Sequence, residues 1–334
     1  MIAVLYDRPG EPADVLYSKN LADPAPQAAE VVVKMSHMSI VPADMATIRG
    51  LYRTPQKTPT VPGYGGQGQI VAVGPGVTSF SIGDTVLIMP FKKPGWTNGC
   101  WQELVCVDES DVVLLPKDIN LLHTPDFFNT PLTAWVMTVE ILNLGPQHTL
   151  LLTAAGSCVG RMVLGLASVR GYKVIAVVRR PQQVEEIRQL GATHVICSSN
   201  EDIGKSVMSF TQLKGVDAVI DAVGGEITGQ CFKLLSDAGK MIVYGLLDLQ
   251  RQSSIDIRKM LFYNLSVQGF WLPGWWFNAP IKLRTQAMNK AMQMVQKGVM
   301  VTPIEKEYPL TSIKEAVRHA EKSGNVGRVM LVPG

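Results

Sequence analysis

The segment LLTAAGSCVG at residues 151–160 contains residue types that could bind phosphate groups. An apolar run leads into a turn of small side chains, and a helical pattern follows. Ala155, Gly156, Ser157 and Gly160 would let backbone N–H groups approach two phosphates at the positive end of that helix. Because only one of the three usual fingerprint glycines remains, the segment by itself is weak support for a dinucleotide-binding turn.

Two arginines strengthen this interpretation, since they directly follow the next predicted strand, KVIAVV at residues 173–178. Arg179 and Arg180 stand where an acidic residue usually binds the ribose 2′-hydroxyl. Guanidinium groups pair with phosphate, whereas a carboxylate would repel it, so this strand end favours the 2′-phosphate of NADPH over NADH. The alternative is that one arginine merely begins the helix at Pro181 and points into solvent. The sequence predicts NADPH as the cofactor.

The composition is that of a globular chain with room for two domains. It has 334 residues, of which 46% are hydrophobic and 18% charged. The net charge of +3 is too small to indicate a nucleic-acid surface, and no apolar run approaches the roughly 18 residues that cross a bilayer. Five scattered cysteines imply no disulfide framework. We expect a soluble, cytoplasmic protein with neither nucleic-acid nor membrane partners.

The chain changes character near residue 120. Before it, short valine-rich runs are broken by Gly and Pro without intervening helices, which predicts a small β-barrel or sandwich. After it, strand-like runs alternate with helical patterns, which predicts an α/β domain with a doubly wound parallel sheet. The six runs begin near residues 149, 173, 194, 216, 240 and 265.

The C-terminal part returns to strand character after a predicted helix at residues 281–297. We therefore predict a discontinuous β-rich domain, residues 1–120 and 273–334, with a dinucleotide-binding domain, residues 121–272, inserted into it.

Several motifs, together spanning essentially the whole chain, resemble those of the medium-chain dehydrogenase/reductase superfamily. The resemblance implies a GroES-like β-barrel catalytic domain plus an inserted Rossmann domain. The motifs are PGYGGQGQIVAVGPGV from residue 62, SIGDTVL from 81, TPLTAW from 130, AGSCVG from 155, DAVGG from 221, VYG from 243 and GRVMLV from 327.

This chain lacks zinc-binding residues at the positions where zinc-dependent members of this superfamily carry them. Zinc-dependent members carry cysteine and histidine ligands where this chain has Val41 and Tyr64, neither of which coordinates zinc. Only Cys100 and Cys106 fall where a structural-zinc lobe needs four cysteines, and His37 is a single histidine on a strand. We predict no metal. Without a Lewis acid, reduction of an activated carbon–carbon double bond or a quinone is favoured over direct carbonyl reduction.

Two segments resemble the zinc-free 2-enoyl thioester reductases of fatty acid synthesis: GFWL at 269–272 and PADMATIRGLYRTP at 42–55. The resemblance implies that Tyr52 is the proton donor, and a phenol with an ordinary pKa of about 10 holds a proton at neutral pH. Quinone reductases also carry this tyrosine but more often lack the tryptophan. The alternative for Tyr52 is a loop residue whose ring packs on the barrel.

The same resemblance implies a set of cofactor-binding residues. Relatives carry a glycine at the position of Cys158, which is either a small structural residue or an oxidation sensor at a helix N-terminus. The implied set is Thr130, Phe270, Trp271 and Leu272 at the nicotinamide, Tyr244 and Gly245 at the ribose, Ser157, Cys158 and Val159 at the pyrophosphate, Arg179 and Arg180 at the 2′-phosphate, and Arg328 near the C-terminus.

The sequence leaves the substrate and the partners open. Our leading hypothesis is an NADPH-dependent 2-enoyl thioester reductase, with an NADPH:quinone or enal oxidoreductase as the alternative and a non-catalytic NADPH-binding sensor as a remote one. We expect a homodimer because an exposed sixth strand could pair across a two-fold axis. Three tryptophans could line a slot for the acyl chain or pack in the core: Trp271, Trp275 and Trp276. Five basic residues could bind coenzyme A or an acyl carrier protein, or could simply be solvated: Arg49, Arg53, Lys57, Lys92 and Lys93.

Overall fold

The computed structural model describes residues 1–52, 57–89, 99–248 and 250–334. The chain divides into two compact units, which we call the β-rich unit, Met1–Asn129 with Thr302–Gly334, and the Rossmann unit, Thr130–Val301. In these described segments, no helix combines the length and apolarity needed to cross a membrane.

Strands and helices alternate differently in the two units. The strands are β1 Ile2–Leu5, β2 Tyr17–Asn20, β3 Glu30–Ser39, β4 Gly66–Val73, β5 Thr85–Ile88, β6 Leu104–Asp108, β7 Val112–Leu114, β8 Thr149–Leu152, β9 Lys173–Val178, β10 His194–Cys197, β11 Val216–Asp221, β12 Leu235–Val243, β13 Ser266–Gly269, β14 Ile304–Pro309 and β15 Arg328–Val332. The α-helices are α1 Pro12–Val15, α2 Pro42–Ile48, α3 Thr133–Trp135, α4 Cys158–Arg170, α5 Val184–Gln189, α6 Ile203–Phe210, α7 Gly225–Phe232, α8 Ile257–Phe262, α9 Leu272–Asn278, α10 Ile281–Gln296 and α11 Ile313–Ala320.

The β-rich unit is built around β3, which pairs antiparallel with β4, β6 and β15. The rest of the sheet extends from these strands, in the order β14-β15-β3-β4-β5-β7. Val31, Val33 and Met35 of β3 are buried, together with Trp101, in the apolar core. Burial of each such side chain stabilises the folded state by roughly 1.5–3 kcal/mol relative to exposure. Strand β3 therefore contributes strongly to the stability of the unit.

The Rossmann unit contains six parallel strands in the order β10-β9-β8-β11-β12-β13, which confirms the predicted doubly wound sheet. Leu150, Leu151 and Leu152 of β8 are fully buried, as expected for a strand covered on both faces. The strand order reverses beside β8, between β9 and β11, and dinucleotides bind at such a reversal. Most predicted strand starts are correct to within one residue, but β12 begins five residues earlier, at Leu235.

The units divide at different residues from those predicted. Residues 273–301 belong to the Rossmann unit, because α10 buries Ala287, Ala291 and Val295, and a Cβ on Gly165 of α4 would lie 2.1 Å from the Val299 carbonyl oxygen. Residues 121–129 belong to the β-rich unit, where Asp126 pairs with the Arg328 guanidinium.

Candidate active site

Tyr52 lies just after α2 in the β-rich unit. Helix α2 begins at Pro42 and is followed by Gly50, whose φ of +75° turns the chain away from the helix. The Tyr52 side chain is half-buried, and its ring centroid lies 5.7 Å from that of Tyr64 with the planes tilted by 40°. The predicted proton donor therefore packs against a second phenol.

Tyr64 is fixed at both its backbone and its hydroxyl. Its backbone N–H donates to Asp44 at 2.9 Å, and its hydroxyl lies 2.9 Å from Thr47 Oγ1. Since Thr47 donates its own proton to the Ala43 carbonyl at 2.8 Å, Tyr64 is the donor in the pair with Thr47. Burial raises the pKa of the Tyr64 phenol above its ordinary value. Tyr64 thus keeps its proton, which is committed to Thr47.

Asp44 connects Val41 and Tyr64, the two positions at which zinc-dependent members of the superfamily that the sequence resembles carry zinc ligands. Its buried carboxylate accepts from the Val41 N–H at 2.7 Å and from the Tyr64 N–H. Burial raises the pKa of Asp44 to about 7, although these two hydrogen bonds and the charge of Arg328 act in the opposite direction. In the described ranges, no group of three or more His, Cys, Asp or Glu side chains could hold a metal ion. The predicted absence of a metal stays a prediction.

A small cavity lies beside these side chains, lined in part by Tyr6, Asp44, Thr60 and Tyr64. Its volume is about 20 Å³, close to that of a single water and far too small for a nicotinamide or an acyl chain. The polar side chains of this cluster hold Tyr64 in place.

The predicted pyrophosphate turn is a tight strand-to-helix connection in the Rossmann unit. Ser157 caps α4, because its Oγ accepts from the Gly160 N–H at 3.1 Å. A Cβ on Gly160 would lie 2.5 Å from the Ala155 carbonyl oxygen, so only glycine fits there. Cys158 and Val159 are half-buried in the first turn of α4, whose N-terminus favours an anion.

Tyr244 meets this turn from the end of β12. Burial raises the pKa of its phenol, and the nearby Ser157 side chain acts in the opposite direction. Gly245 follows, at a place where a Cβ would lie 2.8 Å from the Ala222 carbonyl oxygen. The structure therefore brings together the residues predicted for the pyrophosphate and for the ribose.

Asp221, which sequence reasoning did not single out, fixes the neighbouring strand ends. Its buried carboxylate accepts from the hydroxyls of Thr153 and Thr228, both at 2.6 Å, and from the N–H groups of Val223 and Gly224. Thr153 follows β8, so this network ties β8 to β11 at the reversal of strand order. The motif DAVGG contains Asp221 and is the signal that could have identified it.

The two arginines predicted for the 2′-phosphate directly follow β9. Arg179 is exposed and Arg180 is half-buried. Neither forms an ion pair with any residue that the structure describes, whereas Arg188 on α5 pairs with Glu185 at 2.6 Å. Two cationic side chains at this strand end are therefore available to an anionic ligand.

The residues predicted at the nicotinamide lie in two parts of the Rossmann unit. Phe270 and Leu272 are buried, Trp271 between them is half-buried, and Phe270 N–H donates to the Val243 carbonyl at 2.8 Å. Thr130 is buried at the start of the unit. Their contacts with a nicotinamide stay predictions.

Arg328 lies in the β-rich unit, where it is buried. Its Nε and Nη2 lie 3.1 and 3.0 Å from Asp126 Oδ2, and its Nη1 donates to the Ile40 carbonyl at 3.2 Å. These contacts give Arg328 a structural role, and its predicted contact with the cofactor is untested.

The basic residues predicted to bind the carrier and the tryptophans predicted to line an acyl slot differ in their surroundings. Arg49 lies 2.7 Å from both Glu11 and Glu321, so its charge is compensated. Lys57 is exposed, whereas Arg53, Lys92 and Lys93 lie outside the described residues. The tryptophans 271, 275 and 276 are all half-buried rather than in the core, and the Trp276 ring lies 5.4 Å from the Arg284 guanidinium carbon. The acyl slot stays a prediction.

Two family models match the chain. The alcohol dehydrogenase GroES-like domain matches residues 27–117, and the zinc-binding dehydrogenase domain matches residues 158–297. These matches fall in the β-rich and Rossmann units, respectively.

Known proteins resemble the chain over nearly its whole length. The mitochondrial enoyl-[acyl-carrier-protein] reductase of Bos taurus is 30% identical over 92% of this chain and 82% of its own. A Bacillus thuringiensis structure provisionally described as an NADPH:quinone reductase is 28% identical, with a TM-score of 0.90 over 100% of this chain and 99% of its own. The Escherichia coli quinone oxidoreductase complexed with NADPH has a TM-score of 0.88 over all of both chains, but its 22% identity shows the fold alone. The chain, as its motifs predicted, belongs to the medium-chain dehydrogenase/reductase superfamily of oxidoreductases.

Proposed function

We propose that this protein reduces the activated carbon–carbon double bond of a 2-enoyl thioester with NADPH. The observation that carries the proposal is the half-buried Tyr52 phenol packed against Tyr64, in a chain 30% identical to an enoyl-[acyl-carrier-protein] reductase. The reaction needs one hydride and one proton, and a phenol supplies the proton.

Tyr52 gives its proton to the substrate α-carbon. When bound, NADPH would supply the hydride for the β-carbon, and the negative charge would then lie on the thioester oxygen of the substrate enolate. Protonation at the α-carbon then completes the saturated thioester and leaves the Tyr52 phenolate, which regains a proton from water. Tyr64 is unsuited to this task because its own proton is committed to Thr47.

The Rossmann unit fits NADPH at the turn and at the strand end. Gly160 allows the backbone of Ala155 to pack closely against the start of α4, which keeps the turn tight, and Arg179 and Arg180 have no ion-pair partner among the described residues. Ser157, Cys158 and Val159 would hold the pyrophosphate at the N-terminus of α4, while the two arginines would bind the 2′-phosphate. Tyr244 and Gly245 would border the ribose, with Thr130, Phe270, Trp271, Leu272 and Arg328 as the further predicted contacts.

The main alternative is reduction of a quinone or an enal, which the likeness to the Bacillus thuringiensis protein favours. A side-by-side assay separates these reactions: NADPH oxidation is followed with crotonyl-CoA, the matching acyl carrier protein thioester, a quinone and a simple enal. We expect selective turnover of the thioesters. Faster turnover of the quinone would replace the proposal by the alternative, and NADPH binding without turnover of any acceptor would favour the non-catalytic sensor.

We also propose that the protein forms a homodimer through the β13 edge. Strand β13 is the last strand of the sheet, and Leu261 and Phe262 of the preceding α8 are 73% and 74% exposed. Exposed apolar side chains on the helix that precedes the last strand of the described sheet suit a symmetric interface. Light scattering should give twice the mass of the chain for the wild type and a monomer for Phe262→Glu. A monomeric wild type would contradict the proposal.

A further inference from the structure

The Gln183 side chain lies directly over the pyrophosphate turn. Gln183 precedes α5, three residues after Arg180, and is half-buried. A Cβ placed on Gly156 would lie only 2.4 Å from Gln183 Nε2, so the carboxamide covers the glycine at the centre of the turn. A hydrogen-bond donor therefore reaches the position at which a phosphate would meet the backbone.

An ion pair between the buried Arg161 and the partly exposed Glu186 holds α5 against this turn. Arg161 of α4 is 7% exposed; its Nε donates to the Gly156 carbonyl at 3.2 Å and its Nη2 to Glu186 Oε1 at 2.7 Å. One guanidinium thus fixes both the turn and the helix that begins after Gln183. These contacts of Arg161, and not a hydrogen bond of the Gln183 side chain, hold Gln183 over Gly156.

The carboxamide of Gln183 has no hydrogen-bond partner among the residues that the structure describes. Gln189, the last residue of α5, does donate to Glu185. A half-buried donor that is positioned but unpaired loses hydration without regaining a hydrogen bond, unless a ligand supplies the acceptor.

We infer that Gln183 donates a hydrogen bond to a phosphate oxygen of the bound dinucleotide. The inference rests on the proposed NADPH binding. Either of two phosphate groups could accept this hydrogen bond. One is the pyrophosphate, which the turn at Gly156 would hold, and the other is the 2′-phosphate, which Arg179 and Arg180 would hold. Because the amide is neutral, it adds geometric selectivity rather than charge.

The test compares Gln183→Ala with Gln182→Ala, its exposed neighbour, in the full chain. Dissociation constants for NADPH and NADH are measured by fluorescence titration, without substrate. A hydrogen bond to a charged group predicts a loss of about tenfold for Gln183→Ala and none for Gln182→Ala. Loss for both dinucleotides identifies the pyrophosphate as acceptor, whereas loss for NADPH alone identifies the 2′-phosphate.

Unchanged affinity for both dinucleotides in Gln183→Ala would overturn the inference and leave the proposed function intact. A wild-type protein that binds neither dinucleotide would overturn both. Gln183→Glu provides a second variant of nearly the same shape, in which a carboxylate faces the phosphate. We expect it to bind NADPH more weakly than Gln183→Ala, with a thermal unfolding midpoint unchanged from wild type. Equal or tighter binding by Gln183→Glu would also overturn the inference.

Discussion

The two candidate regions differ in whether their polar side chains have hydrogen-bond or ion-pair partners within the protein. In the β-rich unit, Asp44 accepts from the Tyr64 N–H, the Tyr64 hydroxyl is bonded to Thr47, and Arg328 is bonded to Asp126. In the Rossmann unit, Arg179, Arg180 and Gln183 have no such partners among the described residues, although they lie beside a well-fixed turn. The difference supports the proposal that the first region holds the Tyr52 phenol in place and that the donors of the second bind a ligand.

The largest effect expected from the scaffold is on stability. Asp44 has a pKa of about 7 in the folded protein against an ordinary value of 3.8, so the native state holds a proton that the unfolded chain releases. Its stabilising contribution is therefore complete below pH 4 and is lost as the pH rises to 7. The unfolding free energy of wild type minus that of Asp44→Asn should fall by up to roughly 4 kcal/mol across this range.

Urea denaturation of both proteins at a series of pH values measures this difference, in which the other titrating groups cancel. Above pH 7 the difference should be level. A difference that is constant from pH 4 to pH 7 would show that Asp44 is ionised in the folded state. Burial in the β-rich unit would then not raise the pKa of Asp44, contrary to our account.

The next effect concerns the unpaired cations of the Rossmann unit. Replacing both Arg179 and Arg180 by serine should weaken NADPH binding about 100-fold, because charge-assisted bonds to a phosphate are lost, while NADH binding stays unchanged. Arg188→Ser is the matched control, since Arg188 lies on the neighbouring helix and pairs with Glu185. Calorimetric titration measures all three proteins. An equal loss for NADH and NADPH would mean that these arginines do not recognise the 2′-phosphate.

The smallest effect concerns Tyr64 as a positioning residue for Tyr52. Tyr64→Phe removes the hydroxyl bonded to Thr47 but keeps the ring against Tyr52, so we expect kcat to fall by about tenfold with KM unchanged. Thr47→Val removes the other partner and should give a similar fall. Steady-state kinetics with crotonyl-CoA test both variants. A rise in KM with unchanged kcat would instead place Tyr64 in substrate binding.

The sequence was sufficient for the sheet of the Rossmann unit because its signals are local: each buried strand is a short apolar run followed by a turn. It was not sufficient for contacts between distant residues. The pairing of Arg328 with Asp126 spans 202 positions, and nothing in the local pattern around Arg328 indicates a carboxylate partner. The same holds for Arg161 with Glu186 and for the membership of α10, whose apolar face is evident in the sequence but whose partner is not.

Single-turnover stopped-flow measurement of crotonyl-CoA reduction by Tyr52→Phe tests the central claim most directly. If Tyr52 is the proton donor, the rate of NADPH oxidation should fall by about 10²- to 10⁴-fold, the dissociation constant for NADPH should stay at the wild-type value, and Tyr64→Phe should lose far less. A nearly unchanged rate in Tyr52→Phe, or an equal loss in both variants, would contradict the account.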